Sequence, residues 1–338
     1  MKIKILFRCD AGKYKKLGTG HLFRCIFLAK ILKKKLNISD QQIRFIIKSD
    51  KKYKIASDIL KEYKFDFVRY KNRNLKENSK NEIDILKKNS AEILIFDRIV
   101  FSNKKEILKL KKYFKKIVAL DDKSKHKVFD LRINSLINLR SRKKNRSIFK
   151  NLILPSYEKI KFPKKILNKK INKVFLNLGG WDKNNYTKKI VDLMKKNDLK
   201  INLFIPSNVK YKKVNFYGKL KVTLFKKKEF YKYLNKSDLS IVSGGLVMFD
   251  SIYLGIPAIC LPQDRDQKIN AKILNFFNAN LIINNNNIEK SFYKNFNSIN
   301  KNYKLRKILI QNGRRIINKK NMNKILGKLF SICKYQNV

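Results

Sequence analysis

The 338-residue chain is poor in histidine, cysteine and acidic side chains, and each shortage excludes a class of protein. Its two histidines, His21 and His126, are too few for a metal centre built on imidazole ligands, so we predict no metal site. We predict no cofactor either. Its four cysteines form no CxxC pair, which argues against a zinc site and a disulfide framework. No apolar run reaches the length of a signal peptide or a membrane span, which predicts a reduced, cytoplasmic protein.

The shortage of acidic residues leaves a large positive charge. The 25 Asp and Glu residues stand against 82 Lys and Arg residues, for a formal net charge of +57. Only 14 of the basic residues are arginine, and the lysines are spread along the whole chain. A nucleic-acid-binding surface concentrates arginine and aromatic residues, so we predict no specific nucleic-acid partner. The charge should still attract anionic substrates and anionic membrane surfaces, more weakly as salt rises.

Apolar stretches of strand length alternate with longer, Lys-rich stretches of helical periodicity, in two series. The alternation predicts parallel strands and an α/β fold with two open, Rossmann-like sheets. The predicted strands lie at 3–9, 43–49, 65–70, 92–97 and 116–122, then at 173–180, 201–206, 214–218, 239–245 and 257–262. We predict an N-terminal domain at 1–150, a linker at 151–170, a C-terminal domain at 171–300 and a helical segment at 301–338. Ligands of such sheets bind beyond the carboxyl ends of the strands, so we expect the two domains to face a cleft.

The first strand–helix turn, in the stretch "KKLGTGHLFRC", contains a GxGH pattern. Gly18 and Gly20 allow close approach of the backbone, and His21 falls in the first turn of the following helix. The helix N-terminus favours a neutral imidazole, which can accept a proton. Arg24 lies one turn further along the same face and could hold an anion, while Asp10 ends the preceding strand. By itself the pattern is equally typical of an ordinary glycine-containing turn.

The second series contains two further turns with paired glycines, which are Gly179-Gly180 and Ser243-Gly244-Gly245. The latter joins a strand to a helix, where backbone N–H groups can bind a diphosphate without a metal. Asp250 follows within that helix and is predicted to accept the ribose hydroxyls of a nucleotide. The alternative for this residue is an ordinary solvated position on the helix surface.

The C-terminal half resembles the UDP-sugar-binding half of GT-B glycosyltransferases, especially the peptidoglycan N-acetylglucosaminyl transferase. That family combines a Gly-rich turn and an acidic residue on the ribose with a later "DRxQ…NA" segment. The stretch "DRDQKINA" matches this segment, and the resemblance implies that Gln267 and Asn270 bind the substrate.

The whole chain is similar to the UDP-2,4-diacetamido-2,4,6-trideoxy-β-L-altropyranose hydrolases of pseudaminic acid synthesis and to their spore-coat-polysaccharide homologues. The similar stretches are "FRCDA…LGTGHLFRC", "LIFD", "ALDD", "LRINSLIN", "LNLGGWDKNNYTKKI" and "SIVSGGLVMFD", in the family's order. The resemblance implies metal-independent hydrolysis of a UDP-sugar at the anomeric carbon, with inversion. It implies that His21 assists the attacking water and that Asp10 orients the imidazole. It also implies that Asp97 and Asn134 bind substrate.

Two enzymatic functions fit these features. The first is a hydrolase that releases UDP and a free deoxy-diacetamido sugar for nonulosonic acid synthesis. The alternative is a GT-B glycosyltransferase that moves the sugar to an acceptor in surface polysaccharide synthesis. His21 after the glycines favours the first, although transferases also place a base in this loop. A non-catalytic nucleic-acid-binding protein is disfavoured by the glycine turns at two strand–helix junctions.

Overall fold

A computed structural model describes most of the chain as two compact units. The described residues are 4–12, 17–71, 80–97, 102–122, 124, 126–133, 152–157, 167–180, 182, 184–196, 199–207 and 218–334. The first unit contains the described residues up to 133, residues 152–153 and those from 320 onward. The second unit runs from 154 to 319.

The first unit is built on a sheet of six parallel strands. These are β1 (Ile5–Cys9), β2 (Ile43–Lys48), β3 (Asp66–Tyr70), β4 (Ile93–Asp97), β5 (Lys116–Leu120) and β6 (Leu131–Ile133). Their order across the sheet is β3-β2-β1-β4-β5-β6. The helices between them are α1 (Gly20–Leu36), α2 (Lys54–Glu62), α3 (Lys80–Lys88) and α4 (Lys104–Leu110). The strand order reverses between β1 and β4, which is where doubly wound sheets bind their ligands.

The second unit repeats this winding. Its strands are β7 (Lys173–Asn177), β8 (Ile201–Pro206), β9 (Leu220–Phe225), β10 (Leu239–Val242), β11 (Ala258–Cys260) and β12 (Leu281–Ile282). They are all parallel, in the order β12-β11-β10-β7-β8-β9, so the order reverses between β7 and β10. Its helices are α5 (Tyr186–Lys196), α6 (Phe230–Lys236), α7 (Leu246–Tyr253), α8 (Arg265–Phe276), α9 (Ile288–Lys301) and α10 (Tyr303–Ile316).

The central strands explain why the sequence folds this way. Every residue of β1, β4 and β10 is buried, as expected of parallel strands covered by helices on both faces. In the first unit, Leu6, Leu94 and Ile117 pack in one apolar core, and Val174, Leu203 and Ile241 do so in the second. The prediction of two open parallel sheets is therefore confirmed.

The structure also departs from the sequence-based prediction in detail. The strands β6, β9 and β12 were not predicted, and most of the strand predicted at 214–218 lies outside the described residues. The predicted helical stretch near the C-terminus is divided at residues 317–318 into α10 and α11 (Lys319–Lys334). From residue 320 onward α11 belongs to the first unit. In the described part of the chain, no helix combines the length and apolarity needed to cross a membrane.

Candidate functional site

His21 and Asp97 meet at the carboxyl end of the first sheet, at the point where the strand order reverses. His21 is the second residue of α1, which follows β1, and Asp97 is the last residue of the neighbouring strand β4. The imidazole Nδ1 lies 2.6 Å from Asp97 Oδ1. The His21 side chain keeps 20% of its surface exposed, whereas the Asp97 side chain is completely buried. The pair therefore joins a reachable imidazole to a carboxylate shielded from water.

Arg24 holds the other side of the Asp97 carboxylate. Its Nε donates to Asp97 Oδ2 at 2.8 Å and its Nη2 donates to Asp97 Oδ1 at 2.7 Å. Its Nη1 donates to Asp121, which follows β5. Burial lowers the pKa of Arg24, but Asp121 and Asp97 outweigh it and raise that pKa above its ordinary value. Arg24 was expected to be able to hold a phosphate or a carboxylate, and in the structure all three of its nitrogens donate to carboxylates of the protein.

These contacts keep Asp97 ionised. Burial alone would raise the pKa of Asp97. The charges of Arg24 and His21 and their hydrogen bonds outweigh burial and lower that pKa to about 2. An ionised carboxylate beside Nδ1 favours the tautomer in which Nδ1 carries the proton. The lone pair of Nε2 is then available to accept a proton, which is the chemistry required of a general base.

Asp10 does not contact His21, contrary to the expectation that it orients the imidazole. Its carboxylate accepts from the backbone N–H of Lys48 at 2.9 Å and pairs with Arg8 Nη1 at 2.8 Å. Arg8 Nε in turn lies 2.5 Å from Glu82 Oε1. The physical reason is the strand order, because Asp10 is bonded to β2 on one side of β1, while Asp97 closes β4 on the other side. Asp97 itself was predicted, but as a substrate-binding residue.

The remaining predictions for the first unit concern the turn and Asn134. Gly18 lies two residues before α1, and Gly20 is its first residue. A Cβ added at Gly18 would meet no heavy atom of the described chain within 4 Å, so nothing described there requires glycine. Asn134 lies outside the described residues. Asp121 was missed as a separate site residue, although "ALDD" was noted as a similar stretch.

The glycine turns of the second unit lie together at the carboxyl ends of β7 and β10. Asn177 pairs with Val242 at the end of these neighbouring strands. Gly179 has φ +98°, in the left-handed region, and a Cβ added there would lie 3.6 Å from Ser243 Oγ. Gly180 completes the first turn, and Gly245 stands before α7 with no side-chain cap on the first backbone N–H groups of the helix.

Helix α8 supports the second of these turns directly. A Cβ added at Gly244 would overlap the backbone carbonyl of Gln267, so only glycine fits beneath this helix. Asn270 Nδ2 donates to the backbone oxygen of Gly244 at 3.2 Å. Gln267 Oε1 accepts from the backbone N–H of Gln263 at 2.9 Å. The predicted substrate-binding amides at 267 and 270 thus make contacts that shape this end of the sheet.

Asp250 faces the interior of the second unit. It is 2% exposed, its Oδ1 accepts from the backbone N–H of Ser156 at 3.2 Å, and its Oδ2 accepts from the Tyr231 hydroxyl at 3.1 Å. Burial, followed by Tyr157 and Asp250, raises the pKa of Tyr253 to about 12. Both oxygens of Asp250 accept a hydrogen bond from the protein, and its contact with the ribose hydroxyls stays a prediction.

No group of three or more histidine, cysteine, aspartate or glutamate side chains is arranged to hold a metal ion in the part of the chain that the structure describes. In the first unit, the candidate site consists of His21 with the charged cluster behind it.

The chain matches no protein-family model. It is 28% identical over 284 residues to the uncharacterized protein MJ1062 of Methanocaldococcus jannaschii, an alignment that covers 75% of this chain. The aligned part is 54% of that relative, so the chain spans about half the length of the curated relative it matches.

Solved structures are similar over almost the whole chain. The spinosyn forosaminyltransferase SpnP aligns with 98% of this chain and 100% of its own, at 10% identity and a TM-score of 0.63. A UDP-N-acetylglucosamine 2-epimerase covers 100% of this chain and 98% of its own, at 11% identity and a TM-score of 0.56. The calicheamicin glycosyltransferase CalG4 covers 98% and 100%, at 10% identity and a TM-score of 0.59. With the two doubly wound sheets, these likenesses define a two-domain α/β fold of the GT-B type.

Proposed function

We propose that the protein hydrolyses a UDP-linked sugar at its anomeric carbon and releases UDP and the free sugar. The observation that carries the proposal is the imidazole of His21, partly exposed and bonded at 2.6 Å to the buried carboxylate of Asp97. The names of similarly folded proteins, a UDP-N-acetylglucosamine epimerase and two sugar transferases, support a nucleotide sugar as the substrate class. The resemblance noted in the sequence supports a deoxy-diacetamido sugar destined for nonulosonic acid synthesis.

In the proposed reaction, His21 Nε2 takes a proton from water while the water oxygen forms a bond to the anomeric carbon. The bond from that carbon to the diphosphate oxygen breaks, and UDP leaves with the electron pair. Asp97 stabilises the imidazolium that forms, and Arg24 keeps Asp97 oriented and ionised. General-base assistance of this kind contributes roughly 10²–10⁴-fold to the rate.

The diphosphate in this proposal is bound by the second unit. The turns at Gly179-Gly180 and Ser243-Gly244-Gly245 present backbone at the carboxyl ends of β7 and β10, and α7 begins directly after the second turn. Backbone N–H groups at a helix N-terminus favour an anion, and they would stabilise the charge that develops on departing UDP without a metal. Asn270 donates to the backbone oxygen of Gly244, and the backbone of Gln267 packs against the same glycine.

The second candidate function is transfer of the sugar to an acceptor hydroxyl, with His21 removing the proton from that hydroxyl in place of water. It is favoured by the names of SpnP and CalG4, both glycosyltransferases. An assay with a panel of UDP-sugars, including a diacetamido-trideoxy sugar, separates the two functions in EDTA and without acceptor. Equal release of UDP and free sugar supports hydrolysis, whereas UDP release only after addition of an acceptor supports transfer.

The site also predicts different outcomes for two neighbouring glycines. Gly244→Ala should destabilise the protein by about 1–3 kcal/mol, because its methyl group would overlap the backbone of α8. UDP binding should weaken with it, since the turn must move. Gly245→Ala is the matched control, because its Cβ would lie at an ordinary 3.8 Å from Ser243 Oγ. Urea unfolding and UDP calorimetry measure both effects, and equal stability of the two variants would refute the packing argument.

A further inference from the structure

A second carboxylate, Asp121, completes the charge cluster behind His21. It comes directly after β5, the strand beside β4, and it accepts a hydrogen bond from Arg24 Nη1. Its backbone has φ +52°, a left-handed conformation that costs a non-glycine residue about 1–2 kcal/mol. The backbone N–H of Asp121 donates to Ile133 O at 2.8 Å, which holds this conformation in place. The side chain is 8% exposed, so the contact with Arg24 is shielded from water.

The charges explain what this contact can do. Arg24 binds Asp97 through two nitrogens, and its positive charge offsets part of the negative field that Asp97 places on His21. Asp121 adds a second negative charge to the same guanidinium, which leaves the trio with a net charge of −1. A negative charge close to an imidazole stabilises its protonated form.

Two other titratable groups that the structure describes near this end of the sheet, Cys25 and Asp10, do not supply that charge. Cys25 Sγ lies 3.6 Å from Asp97 Oδ2, and burial, followed by contacts with Cys9, raises the pKa of Cys25 well above its ordinary value, so its thiol is neutral. Asp10 is bound to cations of its own, Arg8 and Lys48. In the described part of the chain, contacts and electrostatic interactions link the His21–Asp97 pair to Arg24 and Cys25, and through them to Asp121 and Cys9.

We infer that Asp121 is a positioning residue that acts through Arg24. Its negative charge balances the charge of the guanidinium, so that the carboxylate of Asp97 can stabilise the protonated imidazole of His21. The consequence for turnover rests on the proposed function, in which His21 is the base. The electrostatic statement itself concerns only the charge state of His21 and can be measured without substrate.

The experiment follows the imidazole signal of His21 by NMR in the full chain labelled on histidine. The chain has only two histidines, and His126→Gln assigns the spectrum by removing one signal. In Asp121→Asn, the midpoint of the His21 titration should move to lower pH, because the group formed by Asp97, Arg24 and Asp121 loses one negative charge. Asp121→Glu should largely restore the midpoint. The matched control is Asp40→Asn. It removes an exposed carboxylate that pairs with Lys33, a residue of the helix α1 that also carries His21, and it should leave the midpoint of the His21 titration unchanged.

A second variant guards against loss of the fold. Asp121→Gly removes the same carboxylate and relieves the left-handed backbone, so it should remain folded and show the same shift. In an active enzyme, the acidic limb of the kcat/KM profile should shift in parallel, while the Kd for UDP stays unchanged. An unchanged His21 midpoint in either folded variant, or an equal shift in Asp40→Asn, overturns the inference. A shifted midpoint in a protein that hydrolyses no UDP-sugar would sustain the inference and overturn the proposed function.

Discussion

His21→Ala is expected to lower kcat for UDP-sugar hydrolysis by roughly 10²–10⁴-fold and to leave UDP binding intact. The loss follows because His21 is the only imidazole bonded to Asp97 among the described contacts, and alanine cannot accept the proton of the attacking water. UDP affinity should persist because the proposed diphosphate-binding turns belong to the second unit. Steady-state kinetics and UDP calorimetry on the same preparation separate the two quantities.

The other histidine provides the control for this experiment. His126 Nε2 contacts the backbone oxygen of Ser102 at 2.8 Å, and its ring packs against Phe129. It takes no part in the His21–Asp97 pair, so His126→Ala should retain wild-type kcat apart from any loss of folded protein. A near-normal kcat in His21→Ala would mean that a different group activates the water.

Asp97→Asn is expected to lower the free energy of unfolding more than the other substitutions proposed for this protein, and it should also lower turnover. The substitution removes the charge that Arg24 binds through two nitrogens, in a site that is 1% exposed. Breaking a buried ion pair in this way costs about 3–5 kcal/mol, because the remaining charge loses its compensation. An amide at this position also no longer fixes the His21 tautomer, so kcat should fall by ~10²-fold or more. Urea unfolding measures the first effect and the hydrolysis assay the second.

The pH dependence of this stability difference has a definite sign. Burial raises the pKa of Asp97, but Arg24 and His21 lower it to about 2 in the folded protein, below its value in the unfolded chain. The ionised carboxylate therefore contributes about 2 kcal/mol at neutral pH, which is lost as the pH falls from about 4 towards 2. The gap in unfolding free energy between wild type and Asp97→Asn should narrow over that range. The exposed pair Arg44–Asp66 supplies the comparison, since Asp66→Asn should cost no more than about 1 kcal/mol.

Much of the fold was predictable because the central strands are continuous apolar runs. "ILFRC" in β1 and "ILIFD" in β4 are buried along their whole length, and each is followed by residues of helical periodicity. β9 escaped prediction because "LKVTLF" mixes buried, half-buried and exposed positions. β6 and β12, with three and two residues, are too short to show a periodicity.

The site was predicted only in part because chain order is a poor guide to neighbours in a sheet. His21 follows from the glycines before it, and Asp10 is the carboxylate nearest to it along the sequence. The partner of His21 is instead Asp97, because the winding of the sheet places β4 beside β1. If the predicted strands are arranged in the order of a doubly wound sheet, the residue that ends β4, Asp97, is predicted to lie beside the turn that carries His21.

Asp250 and Asp121 also show that the position of a carboxylate in the sequence does not identify its partners in the fold. The position of Asp250 on α7 predicts a ribose contact, but it does not reveal the hydrogen bonds that Ser156 and Tyr231 donate to this carboxylate. Asp121 required both the adjacent strand β5 and a left-handed backbone to reach Arg24, and neither can be read from "ALDD". Helical spacing predicts on which face of a helix a residue lies, but the residues that it contacts belong to other elements of the fold.

The central claim is that water, activated at His21, attacks the anomeric carbon. Hydrolysis of the UDP-sugar in water labelled with the heavy oxygen isotope, without acceptor and in EDTA, tests it through the mass of the released UDP. Attack at carbon predicts that UDP leaves with all its original oxygens and carries no label. Label in the β-phosphate of UDP would show attack at phosphorus, and that result would contradict the account.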